Sequence, residues 1–381
     1  MKVKFLILCC CLFVINLCPV YSETDLAPTS SSAILMDAES ASVLYEKNMH
    51  EPLYPASMTK MMSLYLVLKS IHQGAFGWDD IVVASEHAAS LGGSQIYLEP
   101  GERMSVLDLF KASTVASAND AVTALAEKVA GSEAEFVRMM NDTASSFGCK
   151  NTHFVNPTGL HDDKHVSSAY DMAIIAKNLI DEGNEELLQY TSLMEDYIRE
   201  DTDHKFWLVN TNKMLRSYPG MDGLKTGYTS QSMYCITVTA QRNGMRLIAV
   251  VMHEPDKASR SKDAAALLDY GFARYQKVNV MNQQEYSEMI RIDKGFPDTI
   301  KITNDSQLGY TAQIGVQKQE LERSILLNDI IAPVHKGDIV GHMMIKFADG
   351  SILSTNLIAC ESSERLSFWA IFRNCMNRLL F

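Results

Sequence analysis

The chain of 381 residues is poor in the features that announce metal or nucleic-acid chemistry. Four of its eight cysteines, Cys9, Cys10, Cys11 and Cys18, fall within the first eighteen residues. Cys149, Cys235, Cys360 and Cys375 are far apart, with no C-x-x-C pair, which excludes a thiolate metal site and a dense disulfide framework. No H-E-x-x-H occurs, and His161 and His165 are separated by the polar run Asp162-Asp163-Lys164, which reads as a solvated loop. No metal or cofactor is expected. Thirty-four basic residues against forty-six acidic ones give a net charge of −12, and no basic run is interleaved with aromatics. Such a surface repels phosphate backbones, so no nucleic-acid partner is expected.

Long apolar runs are missing after the N-terminus. At the start, Lys2 and Lys4 precede an apolar stretch, Phe5 to Leu17, and Val20-Tyr21-Ser22 supplies the small or aliphatic residues of a cleavage site. Residues 1–22 are therefore expected to be an export signal. At the other end, Leu366, Phe368, Trp369, Ile371, Phe372, Cys375, Met376, Leu379 and Leu380 recur at helical spacing, with Arg365, Arg373 and Arg378 among them. This pattern predicts an amphipathic helix over 361–381 lying in a membrane interface rather than crossing it, with Ser362 or Ser363 as its cap.

The chemistry centres on Pro55-Ala56-Ser57-Met58-Thr59-Lys60. Proline suits the first turn of a helix, and residues three apart share a helix face. Ser57 and Lys60 are thus predicted to point together from the first turn of a helix buried by Leu64, Val67 and Leu68. A serine hydroxyl needs a base to become a nucleophile, and a lysine serves when burial and nearby cations lower its pKa. The pair alone is weak, since a chain of this size holds roughly one or two S-x-x-K matches by chance; Ser259 to Lys262 is another. It gains weight from two elements further along the chain, Ser117-Ala118-Asn119 and then Lys225-Thr226-Gly227.

Around these residues the texture changes twice. Ala33–Met36 and Ser42–Glu46 read as a hairpin, and 56–190 as mostly helical, with a short strand at Ile81-Val82-Val83, a glycine-rich loop over 90–95 and a turn at Asn156-Pro157-Thr158-Gly159. A capping box at Ser168-Ala169-Tyr170-Asp171 starts a helix running to about Asp181. Residues 235–240 and 246–252 are β-rich and joined by Gln241-Arg242-Asn243-Gly244. A helix starts at about Ser261, and beyond about 278 come only short strand candidates. The reading is an α+β (α/β-class) domain over 23–277, a helical cluster on an antiparallel sheet with a cleft between, and then a small all-β sandwich over 278–360.

Ser57–Lys60, Ser117–Asn119 and Lys225–Gly227 in that order resemble the motif set of the penicillin-recognising serine acyltransferases. With Asn151-Thr152-His153-Phe154, Thr158-Gly159-Leu160, Asp222-Gly223-Leu224 and the closing amphipathic helix, the chain resembles the low-molecular-mass penicillin-binding proteins, the serine-type D-alanyl-D-alanine carboxypeptidases. The resemblance implies a β-lactamase/transpeptidase-like fold and a peptidoglycan stem peptide ending in D-Ala-D-Ala as substrate. It implies β-lactam antibiotics as inhibitors, and a place on the outer, periplasmic face of the cytoplasmic membrane. It implies Ser57 as nucleophile, Lys60 as base and Ser117 as proton carrier to the leaving amine. Asn119 would hold the substrate amide, and Lys225, Thr226 and Arg260 the terminal carboxylate. Gly227 would let the substrate backbone approach, and the N–H groups of Ser57 and Tyr228 would bind the oxyanion. Two alternatives share these residues, a D,D-endopeptidase on cross-links and a serine β-lactamase. A β-lactamase predicts a Glu-x-x-Leu-Asn element, absent between Ser117 and Lys225. A non-catalytic wall-binding scaffold would have lost the nucleophile or base.

Overall fold

The computed structural model describes residues 25–200 and 202–367. Strands β1 (Ser32–Asp37) and β2 (Val43–Lys47) form the expected hairpin. Pro55 then leads into a 3-10 turn, Ala56–Thr59, which passes directly into helix α1 (Lys60–His72). The nucleophile therefore sits in a tighter turn than the α-helical one expected, while Lys60 to Leu68 are all buried. Short strand β3 (Ile81–Val83), one-turn helix α2 (Glu86–Ala89), strand β4 (Arg103–Ser105) and helix α3 (Val106–Lys111) come next. The Ser105 hydroxyl caps α3 by accepting from Asp108 N–H. A π-turn over Ala112–Ala116 ends at Ser117 in the left-handed conformation (φ 63°), and α4 (Asn119–Ala130) begins.

Helices α5 (Glu133–Ser146) and α6 (Ala169–Thr191) complete the cluster. Ser168 caps α6 as expected, but the helix continues past Asp181 to Thr191, broken only at Asn184 (φ 44°). An unanticipated hairpin, β5 (Glu195–Ile198) with β6 (Phe206–Val209), precedes β7 (Met221–Thr229), β8 (Met233–Arg242) and β9 (Met245–Glu254). The main sheet runs β2-β1-β9-β8-β7, antiparallel throughout. Both faces are covered. Ile34, Met36, Ile248 and Val250 pack into the core shared with α1, α4 and α6, and their neighbours Leu35, Leu247 and Ala249 pack into the core beneath α7 (Lys257–Arg274). Alternate side chains on a strand point to opposite faces, so a strand buried on both reads as an unbroken apolar run.

The remainder is all β. Strand β10 (Tyr275–Met281) opens it, and β11 (Glu288–Arg291), β12 (Gly295–Phe296), β13 (Thr299–Asn304), β14 (Leu308–Gln313), β15 (Glu320–Leu327), β16 (Ile339–Phe347), β17 (Ile352–Ala359) and β18 (Glu364–Arg365) succeed it. A five-stranded sheet, β11-β13-β17-β16-β15, joins the small pairs β10-β14 and β12-β18 around Ile300, Ile302, Met343, Ile345 and Leu357. One expectation is corrected here. Residues 362–366, read as the start of the tail helix, belong to this module instead. Ser363 bridges Val334, Glu364-Arg365 pairs with Gly295-Phe296, and Leu366 N–H donates to Lys294 O. Their backbone groups complete a sheet edge, which overrides the helical spacing of the side chains. The rest of the predicted tail helix and the export signal lie outside the described residues. Among the described residues, no helix is long and apolar enough to cross a membrane.

Candidate active site

The nucleophile turn is held from two sides. Ala56 takes a left-handed backbone (φ 48°), a conformation that costs a non-glycine residue about 1 kcal/mol and needs support from its surroundings. On one side β7 supplies it: a Cβ on Gly227 would lie 2.6 Å from Pro55 O and 3.2 Å from Ser57 N. This adds a second reason for glycine at position 227. Its missing side chain makes room for the nucleophile turn, so that the strand and Ser57 can be neighbours. On the other side lies the loop 155–165. Gly159 (φ 81°) passes so close that a Cβ there would stand 1.8 Å from Ala56 O. Ser63 Oγ donates to Pro157 O, and Thr59 Oγ1 lies 2.8 Å from His165 Nε2. His165 Nδ1 accepts from Val155 N–H, so the ring proton sits on Nε2 and faces Thr59. Burial pushes this imidazole down to about 4, and it stays neutral. His165 is thus a buried strap to α1 and no part of the solvated loop expected from its neighbours.

Lys60 is fully buried. Its Nζ lies 3.0 Å from Ser57 Oγ, 2.6 Å from Asn119 Oδ1 and 2.7 Å from Thr158 O. Burial, and then the nearby Lys225 cation, hold its pKa well below the ordinary lysine value, against a smaller opposing pull from Asp120. Asp120 is itself engaged, accepting from the N–H groups of Ile96, Leu98 and Ala121. In the neutral form Lys60 has two N–H donors and one lone pair. Asn119 Oδ1 and Thr158 O can only accept, so they take the two protons and leave the lone pair for the Ser57 hydroxyl. Asn119 is fixed in turn, because its Nδ2 donates to Gly92 O and its backbone N–H to Ser94 O.

Lys225, on β7, is also buried. Burial, and then the Arg260 guanidinium, push it down to about 7. Thr226 Oγ1 donates to Thr211 Oγ1. Arg260 on α7 is 5% exposed, and its Nε is buried with no hydrogen-bond partner. A buried charged donor left unsatisfied is costly. Tyr228 is 56% exposed and stacks on Tyr234, ring centroids 4.4 Å apart.

Ser57, Ser117, Thr226, Gly227, Tyr228 and Arg260 line one cleft of about 780 Å³ between the helical cluster and the edge of the main sheet. Lys60 is tied to it through Ser57, Asn119 through Lys60, and Lys225 adjoins Thr226 on β7. All nine residues singled out in the sequence therefore meet at one place. Sequence reasoning missed the Thr158 carbonyl and the Thr59–His165 strap. The Pro157-Thr158-Gly159 turn was visible, but a carbonyl leaves no residue-type signal. Cys149 and Cys235 are buried free thiols, each pushed up to about 12 by burial, and take no part.

A serine bonded to a buried, proton-poor lysine, beside a cationic pocket on a strand edge, defines the class of serine acyltransferases. Known proteins agree. The family model "D-alanyl-D-alanine carboxypeptidase" matches residues 20–256, and "Penicillin-binding protein 5, C-terminal domain" matches residues 275–365. The D-alanyl-D-alanine carboxypeptidase DacF of Bacillus subtilis is 41% identical over 332 residues, covering 87% of this chain and 85% of that protein. Penicillin-binding protein 5 of Haemophilus influenzae superposes with a TM-score of 0.67 at 32% identity, covering 88% of this chain and 98% of that one. Penicillin-binding protein D2 of Listeria monocytogenes in its ampicillin-bound form has a TM-score of 0.57 at 32% identity, covering 64% and 98%. The chain belongs to the D-alanyl-D-alanine carboxypeptidase family.

Proposed function

We propose that this cleft removes the terminal D-alanine from peptidoglycan stem peptides through an acyl-enzyme on Ser57, and that penicillins trap the same serine. The single observation that carries this reading is the set of three contacts around Lys60 Nζ, which turns its lone pair toward Ser57 Oγ. Ser57 Oγ attacks the penultimate D-Ala carbonyl and its proton passes to Lys60. The oxyanion is held by the N–H groups of Ser57 and Tyr228. Ser117 hands its proton to the departing amine and regains one from Lys60, free D-alanine leaves, and water hydrolyses the ester, its proton returning to Ser57 Oγ. Protonated Lys225, Thr226 and Arg260 hold the terminal carboxylate, the charge that the unpartnered Arg260 Nε lacks. Asn119 holds the substrate amide. The chain is a hydrolase of the peptidase family, and the relative solved with ampicillin bound supports the penicillin reading.

The test is D-alanine release from an acylated D-Ala-D-Ala peptide. The wild type should turn over, and Ser57→Ala should release none above the uncatalysed rate. The β-lactamase alternative is disfavoured by the carboxypeptidase family match and by the all-β module behind the catalytic domain.

We also propose that residues 1–22 direct export and that the apolar, arginine-bearing tail beyond Ser367 holds the enzyme at the outer face of the cytoplasmic membrane. The support is the spacing of Phe368, Trp369, Ile371, Phe372 and Met376. A chain ending at Ser367 should lose sedimentation with membranes while its D-alanine release persists. Undiminished sedimentation would sink the anchor.

A further inference from the structure

Thr29, in the strap that leads into β1, stands between two buried acids for which the reaction has no use. Glu254, the last residue of β9, is 0% exposed, and Asp263 on α7 is 2% exposed. Thr29 Oγ1 lies 2.7 Å from Glu254 Oε2 and 2.9 Å from Asp263 Oδ2. Thr29 N–H donates to the same Asp263 oxygen at 3.1 Å. The two carboxyls also interact with each other directly.

The protons of this group can be counted. A threonine hydroxyl has one, and an ionised carboxylate can only accept. With both acids charged, the hydroxyl serves one of them and turns a lone pair toward the other. A single added proton removes the conflict. Glu254 Oε2–H then donates to Thr29 Oγ1, whose own proton goes to Asp263 Oδ2 beside the Thr29 N–H. The proton belongs on Glu254, because Asp263 already receives a backbone N–H while Glu254 Oε1 is buried with no partner. A neutral carbonyl oxygen costs far less to bury than a charged one.

The surroundings do not cancel the charge. On β2, Lys47 attracts Glu254, but it is engaged by Asp25 and Ala27 O. Arg260 on α7 and the Cys235 thiol on β8 are the other groups that feel Glu254. Burial, with Asp263 adding to it against the Thr29 bond and Lys47, lifts the Glu254 carboxyl to about 7. Two carboxyls in one site behave this way when they hold one proton between them.

We propose that Glu254 and Asp263 share one proton through the Thr29 hydroxyl, and that this proton latches the strap before β1 to α7. Loss of the proton to solvent releases the latch. The strap is built for such a hold: Ala27 is buried in the core beneath α7, and Ser31 N–H donates to Met252 O. Asp263 lies three residues after Arg260, so the latch braces the helix that carries Arg260. It does not depend on the chemistry at Ser57. The folded protein keeps this proton to a higher pH than the unfolded chain. The stability it contributes is therefore full at acid pH and is lost as the pH rises through about 7.

Glu254→Gln keeps the shape of the neutral acid and its donor to Thr29, and cannot ionise. The melting temperature of the purified variant, minus that of the wild type, should increase by roughly 3–6 °C between about pH 5 and about pH 8. Amide exchange over residues 27–31 should be equal in the two proteins at the lower pH and faster in the wild type at the higher one. A melting difference that stays the same across this range would overturn the shared proton. A difference that opens while exchange in the strap stays equal would overturn the latch. If the variant does not fold, infrared titration of the wild type decides: a protonated-carboxyl band that vanishes over the same range supports the shared proton, and its absence overturns it.

Discussion

Lys60→Met should lower the rate of acylation by penicillin about a thousandfold, within the range of a removed general base, while the protein stays folded. Methionine approximates the lysine stem in volume and shape and needs no hydration. Its entry leaves Asn119 Oδ1 and Thr158 O without Lys60 (2.6 and 2.7 Å), at about 1–3 kcal/mol each, but it also removes a polar amine from a fully buried site, where its desolvation is costly. The two terms oppose each other, so the thermal midpoint should move little. Lys60→Arg should be as inactive as Lys60→Met, because a guanidinium keeps its proton and has no lone pair to offer. Rescue by arginine would show that Lys60 acts as a cation and not as a base. The same electrostatics set the pH profile. Lys60 must be neutral, and burial and Lys225 hold its pKa low, so kcat/KM rises with pH through that low value. Lys225 must be protonated to receive a carboxylate, and it sits at about 7, so kcat/KM falls again above about pH 7. The alkaline limb should disappear in Lys225→Met, together with most of the carboxylate binding.

Gly159→Ala should be the most damaging change outside the catalytic residues. Two independent penalties combine. The backbone at 159 is left-handed (φ 81°), which costs an alanine about 1–2 kcal/mol. The new Cβ would also stand 1.8 Å from Ala56 O and 2.3 Å from Ala56 C. Those are backbone atoms of the nucleophile turn, with no flexible side chain to swing aside, so the loop or the turn must move. Movement of the loop withdraws Thr158 O from Lys60 Nζ. Movement of the turn displaces Ser57. The expected result is a loss of about 3 kcal/mol or more in stability, comparable with other strained backbone replacements. Penicillin acylation should slow at least tenfold even below the melting transition, as an order-of-magnitude consequence of misplacing a reacting group. Gly148→Ala is the control. It shares a positive φ (78°), but nothing lies within 4 Å of its would-be Cβ, so it should lose stability without slowing acylation.

The cleft was more legible in the sequence than the geometry of the chain around it. Ser57 and Lys60 could be read because their chemistry is written in side-chain type and spacing, and Ser117, Asn119 and Lys225 because with that pair they resemble the motif set of a known family. Strands β1, β8 and β9 were legible as β-forming stretches. Thr158 was not, because it works through a main-chain carbonyl whose direction depends on Gly159 and on contact with a turn about a hundred residues earlier. Gly227 was read as an opening for substrate, since a glycine in a strand signals close approach without saying what approaches. His165 looked solvated because its neighbours are. Its burial against Thr59 is a long-range contact, invisible to local patterning. The β5–β6 hairpin, with four-residue strands, is too short for periodicity to register. Residues 362–366 show the converse error, a helical side-chain rhythm overridden by the unpaired edges of β12 and Val334.

The decisive measurement is the intact mass of the purified protein after incubation with penicillin, with peptide mapping of the adduct. One penicilloyl group should appear on the peptide containing Ser57, slow to clear in the wild type and absent in Ser57→Ala. An adduct on any other serine, Ser117 included, or an adduct that persists in Ser57→Ala, would contradict the assignment of Ser57 as the nucleophile served by Lys60.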